Sequence, residues 1–518
     1  MPTPARSVVS ILIAILVSVP LLAEAEPEDR LEYHIIRTDH QGKIVPWFSP
    51  NLGQAYDHNV RLVWDFWKNM KSCPNGLKYY LQHRIWTKGE DDRGVGGDQL
   101  NMALSSWNLL HQYLGDPAVK ADLIYIADYY IAHAFSPPTD WWPNVPYPYN
   151  IDVHSGIYDG DLQAGKRFFH PDKAASFAAE IIVLHKITGS RKYLDAAIMI
   201  ANTLAARIEP GDAERSPWPY RVNTKKNKVH KVVKDGVVYR AEYTANWAAA
   251  LRMFDDLIAL NEGRVADYQN ARQMLIDWIK AHPIKTNRWG PFFEDISTNK
   301  LSDTETNADT MAAYILEHPD WDPAWRQHVE GILNWSLTTF GNQGWIGYGV
   351  IPINEQTAFM VPGNSHSSRH ASVELLFGEK TGDHARKDGA IRRLNWATYM
   401  VNEDGRNRYP MSNIWLTDGY GDYVRHYLRA MAASPELAPD DQNHLLRTSS
   451  IIQSINYDPN AIRYTKFDER SQERFKLGAW EPESIEGGAM HWDPVTRVLT
   501  VTAASEAVTI TRRLSGAQ

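Results

Sequence analysis

Apolar residues recur three and four positions apart through most of the chain. Leu194, Ile198, Ala201, Leu204 and Ile208 fall on one helical face, as do Phe177, Ile181 and Leu184 in the stretch before it. A short turn rich in Gly, Asp and Pro separates such stretches: Leu114-Gly115-Asp116-Pro117, Thr188-Gly189-Ser190, Asn261-Glu262-Gly263, His318-Pro319-Asp320 and Thr381-Gly382-Asp383. Each copy closes one amphipathic helix and opens another, at intervals of roughly 50 to 75 residues, which is the mark of stacked helical hairpins.

The repeat resolves into six pairs, each read as outer helix, long link, inner helix and short turn. Inner helices are expected to begin near Asp98, Asp172, Tyr243, Asn307, His366 and Asp418. Their first turns are rich in Ala and Ser, as at 173–179 and 245–250, and small residues let helices approach a common centre closely. The long links hold most of the Pro, Gly and aromatic residues, so the binding face is expected on their side. After Pro439 the period changes from helical to alternating, as in Val498-Leu499-Thr500-Val501-Thr502 and Val508-Thr509-Ile510-Thr511, which predicts strands. The expected fold is mainly α, with six helical hairpins over 26–440 and a small β-rich segment over 441–518.

Composition adds three constraints. The chain has 518 residues and a net charge of −8, so it exerts no general electrostatic pull on nucleic acid or an anionic membrane. Arg6, the apolar run from Val8 to Leu22 and the small-residue site Ala23-Glu24-Ala25 read as a secretory signal over 1–25, so a secreted or periplasmic bacterial protein is expected. Cys73 is the only cysteine, which leaves stability to the core rather than to an internal disulfide. The 19 Trp and 25 Tyr exceed what packing alone usually demands.

Polar candidates concentrate where long links enter inner helices. The densest run is Asn364-Ser365-His366-Ser367-Ser368-Arg369-His370, which puts a base, a cation and amide donors within two turns, with His366 and His370 on one helical face. A zinc site is the alternative use of that spacing, but the run lacks the Glu of H-E-x-x-H. A second cluster, Glu242 to Trp247, offers Tyr243 and Asn246 three apart. Carboxylates Asp159, Asp161, Glu294, Asp295 and Asp418 could supply a glycosidase acid and base pair. Gly94-Val95-Gly96-Gly97 lacks the last Gly of a dinucleotide loop, and the nearby Glu90, Asp91, Asp92 and Asp98 are the candidate holders of a structural calcium. No cofactor is expected.

Six hairpins with long links on one face, in an exported aromatic-rich chain, resemble the (α/α)6 toroid of carbohydrate-active enzymes. The resemblance covers roughly 50–435 and rests on layout rather than on an exact motif. It implies one of several chemistries: polysaccharide lyases, unsaturated glucuronyl hydrolases, inverting glycosidases or sugar epimerases. In the lyases of this fold an Asn, Gln or Arg neutralises a uronate carboxylate, a His or Tyr takes the C5 proton and a Tyr serves the leaving oxygen. By residue type, that implies catalytic roles for His366, Tyr243, His370, Arg369 and Asn246. Substrate contacts are then expected from Asn364, Trp142, Tyr149, Trp218, Tyr220, Arg221, Trp289, Trp345, Glu294 and Asp159, the aromatic rings stacking on sugar faces.

The expectation is therefore a secreted polysaccharide lyase that cleaves a uronate-containing acidic polysaccharide by β-elimination. An inverting glycoside hydrolase or unsaturated-uronyl hydrolase is the alternative, and a glycan-binding toroid without catalysis is the third reading. The partner is an acidic polysaccharide or oligosaccharide, with neither nucleic acid nor, once the signal is removed, membrane.

Overall fold

The protein is described by a computed structural model covering residues 29–82, 97–152, 155–234, 236–292, 302–407 and 418–513. Twelve helices of three turns or more run through the described residues. They are α1 (Leu52–Lys68), α2 (Gly97–Leu114), α3 (Pro117–His133), α4 (Pro171–Thr188), α5 (Arg191–Ala205), α6 (Ala248–Ala259), α7 (Val265–Ala281), α8 (Glu305–Glu317), α9 (Trp325–Phe340), α10 (Asn364–Thr381), α11 (Lys387–Thr398) and α12 (Asp418–Ala433). The expected leader over 1–25 lies outside the described residues, as do most of the Glu90 to Asp98 loop, Glu294 and Asp295. No helix among the described residues is long and apolar enough to cross a membrane.

The even-numbered helices touch in chain order from α2 to α12, and α12 returns to α2, so they close an inner ring. Helices α3, α5, α7, α9 and α11 each pack on the helix before them, and α1 packs on α12. The first helix thus completes the last hairpin, which ties the two ends of the helical region together. Burial follows the two layers. In α1 the stripe Tyr56, Val60, Val63 and Trp67 is buried while the opposite face meets solvent, whereas α10 is buried without a break from Asn364 to Leu375. Each fully buried large apolar side chain contributes on the order of 1.5–3 kcal/mol, and the core includes Trp67, Trp107, Trp218, Trp247, Trp289 and Trp396.

Turn chemistry explains the short connections. Gly189 and Gly382 end α4 and α10 in the left-handed region, at φ 71° and 74°, where a side chain is disfavoured. Asp116 caps α3 by accepting from the Ala118 amide at 2.8 Å, and Pro117 takes the first helical position. One expected helix start needs correction: α6 begins at Ala248, not at Tyr243. The backbone of the preceding segment is spent on tertiary bonds, with the Ala245 amide donating to Trp289 O at 2.9 Å, so it cannot join the helical ladder.

The chain beyond α12 forms eight strands: β1 (Asn443–Thr448), β2 (Ile452–Asp458), β3 (Ala461–Lys466), β4 (Ser471–Leu477), β5 (Pro482–Glu486), β6 (Gly488–Asp493), β7 (Val498–Ala503) and β8 (Ala507–Arg512). They pair antiparallel in two four-stranded sheets, ordered β1-β4-β7-β6 and β2-β3-β8-β5. A second core, with Ile462, Phe475, Leu499, Val501 and Ile510, lies among them. Leu446 and Ile451 instead join the helical core. Tyr457 donates to Gln112 O at 2.6 Å, Lys120 to Gln453 O at 3.1 Å, and Arg447 pairs with Glu379 at 2.7 Å. Gln112 and Glu379 lie near the C-terminal ends of α2 and α10. The sheets therefore cover the short-turn side, and the N-terminal ends of the inner helices are left to the long links.

Candidate functional site

Helix α8 brings Glu305, Thr306, Asn307 and Asp309 to the ring interior, and α10 brings Asn364, His366, Arg369 and His370; all of these side chains are buried. Thr304 starts α8 by accepting from the Thr306 amide at 3.2 Å, which fixes the rotation of the helix and aims Glu305 at α10. The ring of Glu305 contacts is compact. His366 Nδ1 hydrogen-bonds Glu305 Oε1, Arg369 Nη1 donates to the same oxygen at 3.0 Å, and Arg369 Nη1 also reaches Thr306 Oγ1 at 2.8 Å.

Burial opposes a charge on Glu305, but the Arg369 guanidinium and the His366 imidazole outweigh it and hold the carboxyl below its usual range. An ionised carboxylate only accepts, so His366 Nδ1 carries a proton toward it, and the neutral tautomer compatible with this bond has its lone pair on Nε2. The imidazole of His426 on α12 lies within electrostatic reach of Arg369 and His366. Burial, followed by Arg369, Arg425, Arg429 and His366, pushes it well below the ordinary histidine range, so His426 is neutral.

His370 belongs to a different chain of groups. Its Nδ1 meets Asp309 Oδ2 at 2.8 Å and its Nε2 lies 3.4 Å from Glu374 Oε1, and Glu374 in turn pairs with Arg393. Burial works against the imidazolium, yet Asp309 and Glu374 raise its pKa to about 9. His366 and His370 share a helix face as their spacing requires, but each Nδ1 is held by a different carboxylate. His370 is thereby a buried ionic strut that positions α8 against α10.

The other expected residues separate. Tyr243 is buried and donates to Arg288 O at 2.6 Å, away from the His366 cluster. Asn246 donates to Asp172 Oδ2 at 2.8 Å, and Lys173 Nζ lies 3.9 Å from the same oxygen and 3.3 Å from the Phe292 ring centre. This second group connects to the first through Thr244 Oγ1, which accepts from the Asn246 amide at 3.3 Å and from Asn307 Nδ2 at 3.3 Å. A continuous polar seam therefore runs from α4 through the 244–246 segment to α8 and α10. Asn364 donates to Asn407 Oδ1, which anchors the link after α11 to the start of α10.

Most of the residues expected to contact a sugar are placed elsewhere. Trp218, Tyr220 and Trp289 are fully buried, and Trp142 and Tyr149 nearly so, with their faces taken by protein: Trp218 packs against Trp247, and Trp142 against Phe169. Trp345 packs edge-on against Trp396 beside the outer helix α11. Arg221 is buried 3.2 Å from His170 and 3.6 Å from Asp161, and donates to Gln163 Oε1 at 2.6 Å. Asp159 pairs with Lys166 at 2.9 Å and accepts from the Ile151 amide at 3.1 Å. Asp161 is fixed by His170 at 2.8 Å and by the Gln163 and Ala164 amides; burial resists its ionisation, but Arg221 and His170 hold its carboxyl far below the usual range. Glu294 lies outside the described residues. Surplus aromatics in the links are thus largely core, because a Trp face packs on Trp as readily as on a sugar.

Reading by residue type missed Glu305, Thr306, Asp172, Lys173 and His426. Glu305 and Asp172 each sit within the first turn of an inner helix, so inner-helix starts that carry an acid were the available signal. His426 lies within α12 and had no such mark.

No family model matches the chain, and no curated protein matches it. Solved structures do resemble it in fold. The cellobiose 2-epimerase from Spirochaeta thermophila superposes with a TM-score of 0.54 at 14% identity, over 74% of this chain and 97% of that one. A D-mannose isomerase gives 0.51 at 9% identity over 75% and 99%, and a family 76 glycoside hydrolase from a bovine Bacteroides thetaiotaomicron strain gives 0.50 at 10% over 74% and 78%. The helical part of the chain shares the α/α-toroid fold of these proteins.

Proposed function

We propose that the chain is a carbohydrate-active enzyme on a six-hairpin (α/α)6 toroid, exported through its leader, and that it cleaves a uronate-containing acidic polysaccharide by β-elimination with His366 as the base. The observation that carries this reading is the His366–Glu305 pair: a buried, ionised carboxylate accepts from Nδ1–H, so that in the neutral imidazole the lone pair available as a base is on Nε2.

In the proposed step Nε2 takes the proton on C5 of the uronate. The C5–H electron pair forms the C4–C5 double bond, the C4–O bond breaks, and the leaving oxygen recovers a proton from the imidazolium on the same face or from water. Charge that develops toward the substrate carboxylate is met by donors along the seam, Asn246 and Lys173 on one side and Arg369 on the other. Tyr243 has no part, since its hydroxyl is committed to Arg288 O.

The test is incubation with alginate, glucuronan, pectate and glycosaminoglycans. The expected result is growth of the ultraviolet absorbance of an unsaturated uronate on one of them, lost in His366→Ala. Absence of that absorbance on every polymer overturns the lyase reading.

A second reading is sugar epimerisation, favoured by the fold likeness to an epimerase and an isomerase. It uses the same proton abstraction, and exchange of a sugar carbon proton with deuterated solvent, without unsaturation, selects it. Hydrolysis, through carboxylates among Asp159, Asp161, Glu294, Asp295 and Asp418, is the alternative; Asp159 and Asp161 are tied to cations, and release of reducing ends without unsaturation selects it. Binding without any product would select the catalytically silent toroid.

A further inference from the structure

Between the inner helices and the strands β1 and β2 lies a cavity of about 650 Å³, which opens toward the short-turn side and reaches Asp309 and Arg369 inside the ring. It is large enough for a small organic molecule. Its wall is apolar at Val183, Leu376, Leu428 and Ile451, and Asn108 and Gln112 contribute amides.

The cavity's charges do not balance. Arg252 is matched by Glu317 at 2.8 Å, Arg447 by Glu379, and Arg369 by Glu305. Glu180 accepts from Asn108 at 2.8 Å; burial raises its pKa, and Asn108, Arg425, Arg429 and Arg252 draw it back down, so one carboxylate is set against several cations. Arg429 also lines this space, and among the described residues it makes neither a hydrogen bond nor an ion pair. Arg425 lies four residues earlier on the same face of α12 and donates to Ser105 at 3.0 Å. Burial, then repulsion from Arg425 and Arg252, lowers the pKa of Arg429 to about 9, while Glu317 and Glu180 act on it through space without a hydrogen bond. Lys380 stands exposed at the cavity edge.

We infer that this cavity is a binding site for a small oxyanionic metabolite, a carboxylate or a phosphate compound, with the Arg429 guanidinium as its principal partner and Arg425 and Lys380 flanking it. The cavity shares Arg369 and Asp309 with the buried clusters on α8 and α10, while His366, the proposed base, does not line it. A planar guanidinium with all its donors available matches the two oxygens of such a group.

Thermal unfolding of the full-length protein tests the assignment, with inorganic phosphate and with monomeric glucuronate as probes at constant ionic strength. At about 100 times Kd, a ligand that binds only the folded chain raises the midpoint by about 2 °C or more. One probe is expected to do so, and the probe that does identifies the phosphate or the carboxylate class. Arg429→Gln is expected to abolish the rise while its unliganded midpoint equals or exceeds that of the parent. No rise with either probe, or a rise undiminished in Arg429→Gln, overturns the inference. Should the variant fail to fold, selenate soaked into crystals of the parent protein is expected to give an anomalous peak within hydrogen-bond distance of Arg429, and a cavity without that peak overturns it equally.

Discussion

Glu305 is fully buried, yet it stays ionised because the Arg369 guanidinium and the His366 Nδ1–H converge on one of its oxygens. Its replacement by Gln offers Nδ1 an amide that can present either oxygen or NH2, so the tautomer of His366 is no longer specified. On the proposed function, His366→Ala is expected to lower kcat by about 10²- to 10⁴-fold, the range of a positioned general base. Glu305→Gln is expected to lower kcat as well and to move the pH–rate profile. It should also destabilise by about 3 kcal/mol, because it removes the buried carboxylate that pairs with Arg369. Steady-state kinetics and chemical denaturation check both, and Tyr243→Phe is expected to keep kcat within a few-fold. His370 gives a pH prediction of the opposite kind. Its folded pKa of about 9 exceeds the ordinary value of 6.5, so its stabilisation is complete below about pH 6.5 and is lost as pH rises through 9, on the order of 3 kcal/mol. Unfolding midpoints measured from pH 6 to 10 should fall in the parent and fall less in His370→Gln.

Among the elements, the recurring turns were readable because their causes are local. Gly115, Gly189 and Gly382 mark positions where the backbone must turn left-handed, and a Gly beside a helical period announces that by itself. Around Gly189 a built Cβ meets nothing within 4 Å, so Gly189→Ala is expected to cost only the backbone strain, about 1 kcal/mol. Gly405 combines φ 79° with a Cβ position 2.1 Å from Leu62 O, and Gly405→Ala is expected to cost distinctly more, read from denaturation midpoints of the two variants. The start of α6 was not readable. From Tyr243 to Trp247 the residue types tolerate a helix, and tertiary bonds, among them those to Trp289 O and Pro291 O from a link some 45 residues away, keep that segment out of the helix.

For the whole molecule, the β sheets and the helical ring share one interface: Leu446 is buried in the helical core, the partly buried Ile451 packs against it, and Glu379 on α10 pairs with Arg447 and Arg474. Deleting 441–518 would expose that apolar surface and leave Glu379 unpaired. The truncated chain is expected to aggregate or to unfold many degrees below the parent, while the intact protein unfolds in one transition by calorimetry. A truncated chain that is soluble with an unchanged midpoint would refute this coupling. Periodicity along the chain determined six helical pairs, the short-turn side and the change to strands near the C-terminus, since these depend on neighbours within a turn or two. It also singled out His366 and Arg369 by their place at a helix start. Only the tertiary structure decided that Glu305 joins those two, that His370 and Tyr243 belong elsewhere, and that Trp218 and Trp289 face protein. Those outcomes depend on which side chains meet across many residues of intervening chain, a matter of packing and charge pairing that local pattern does not encode.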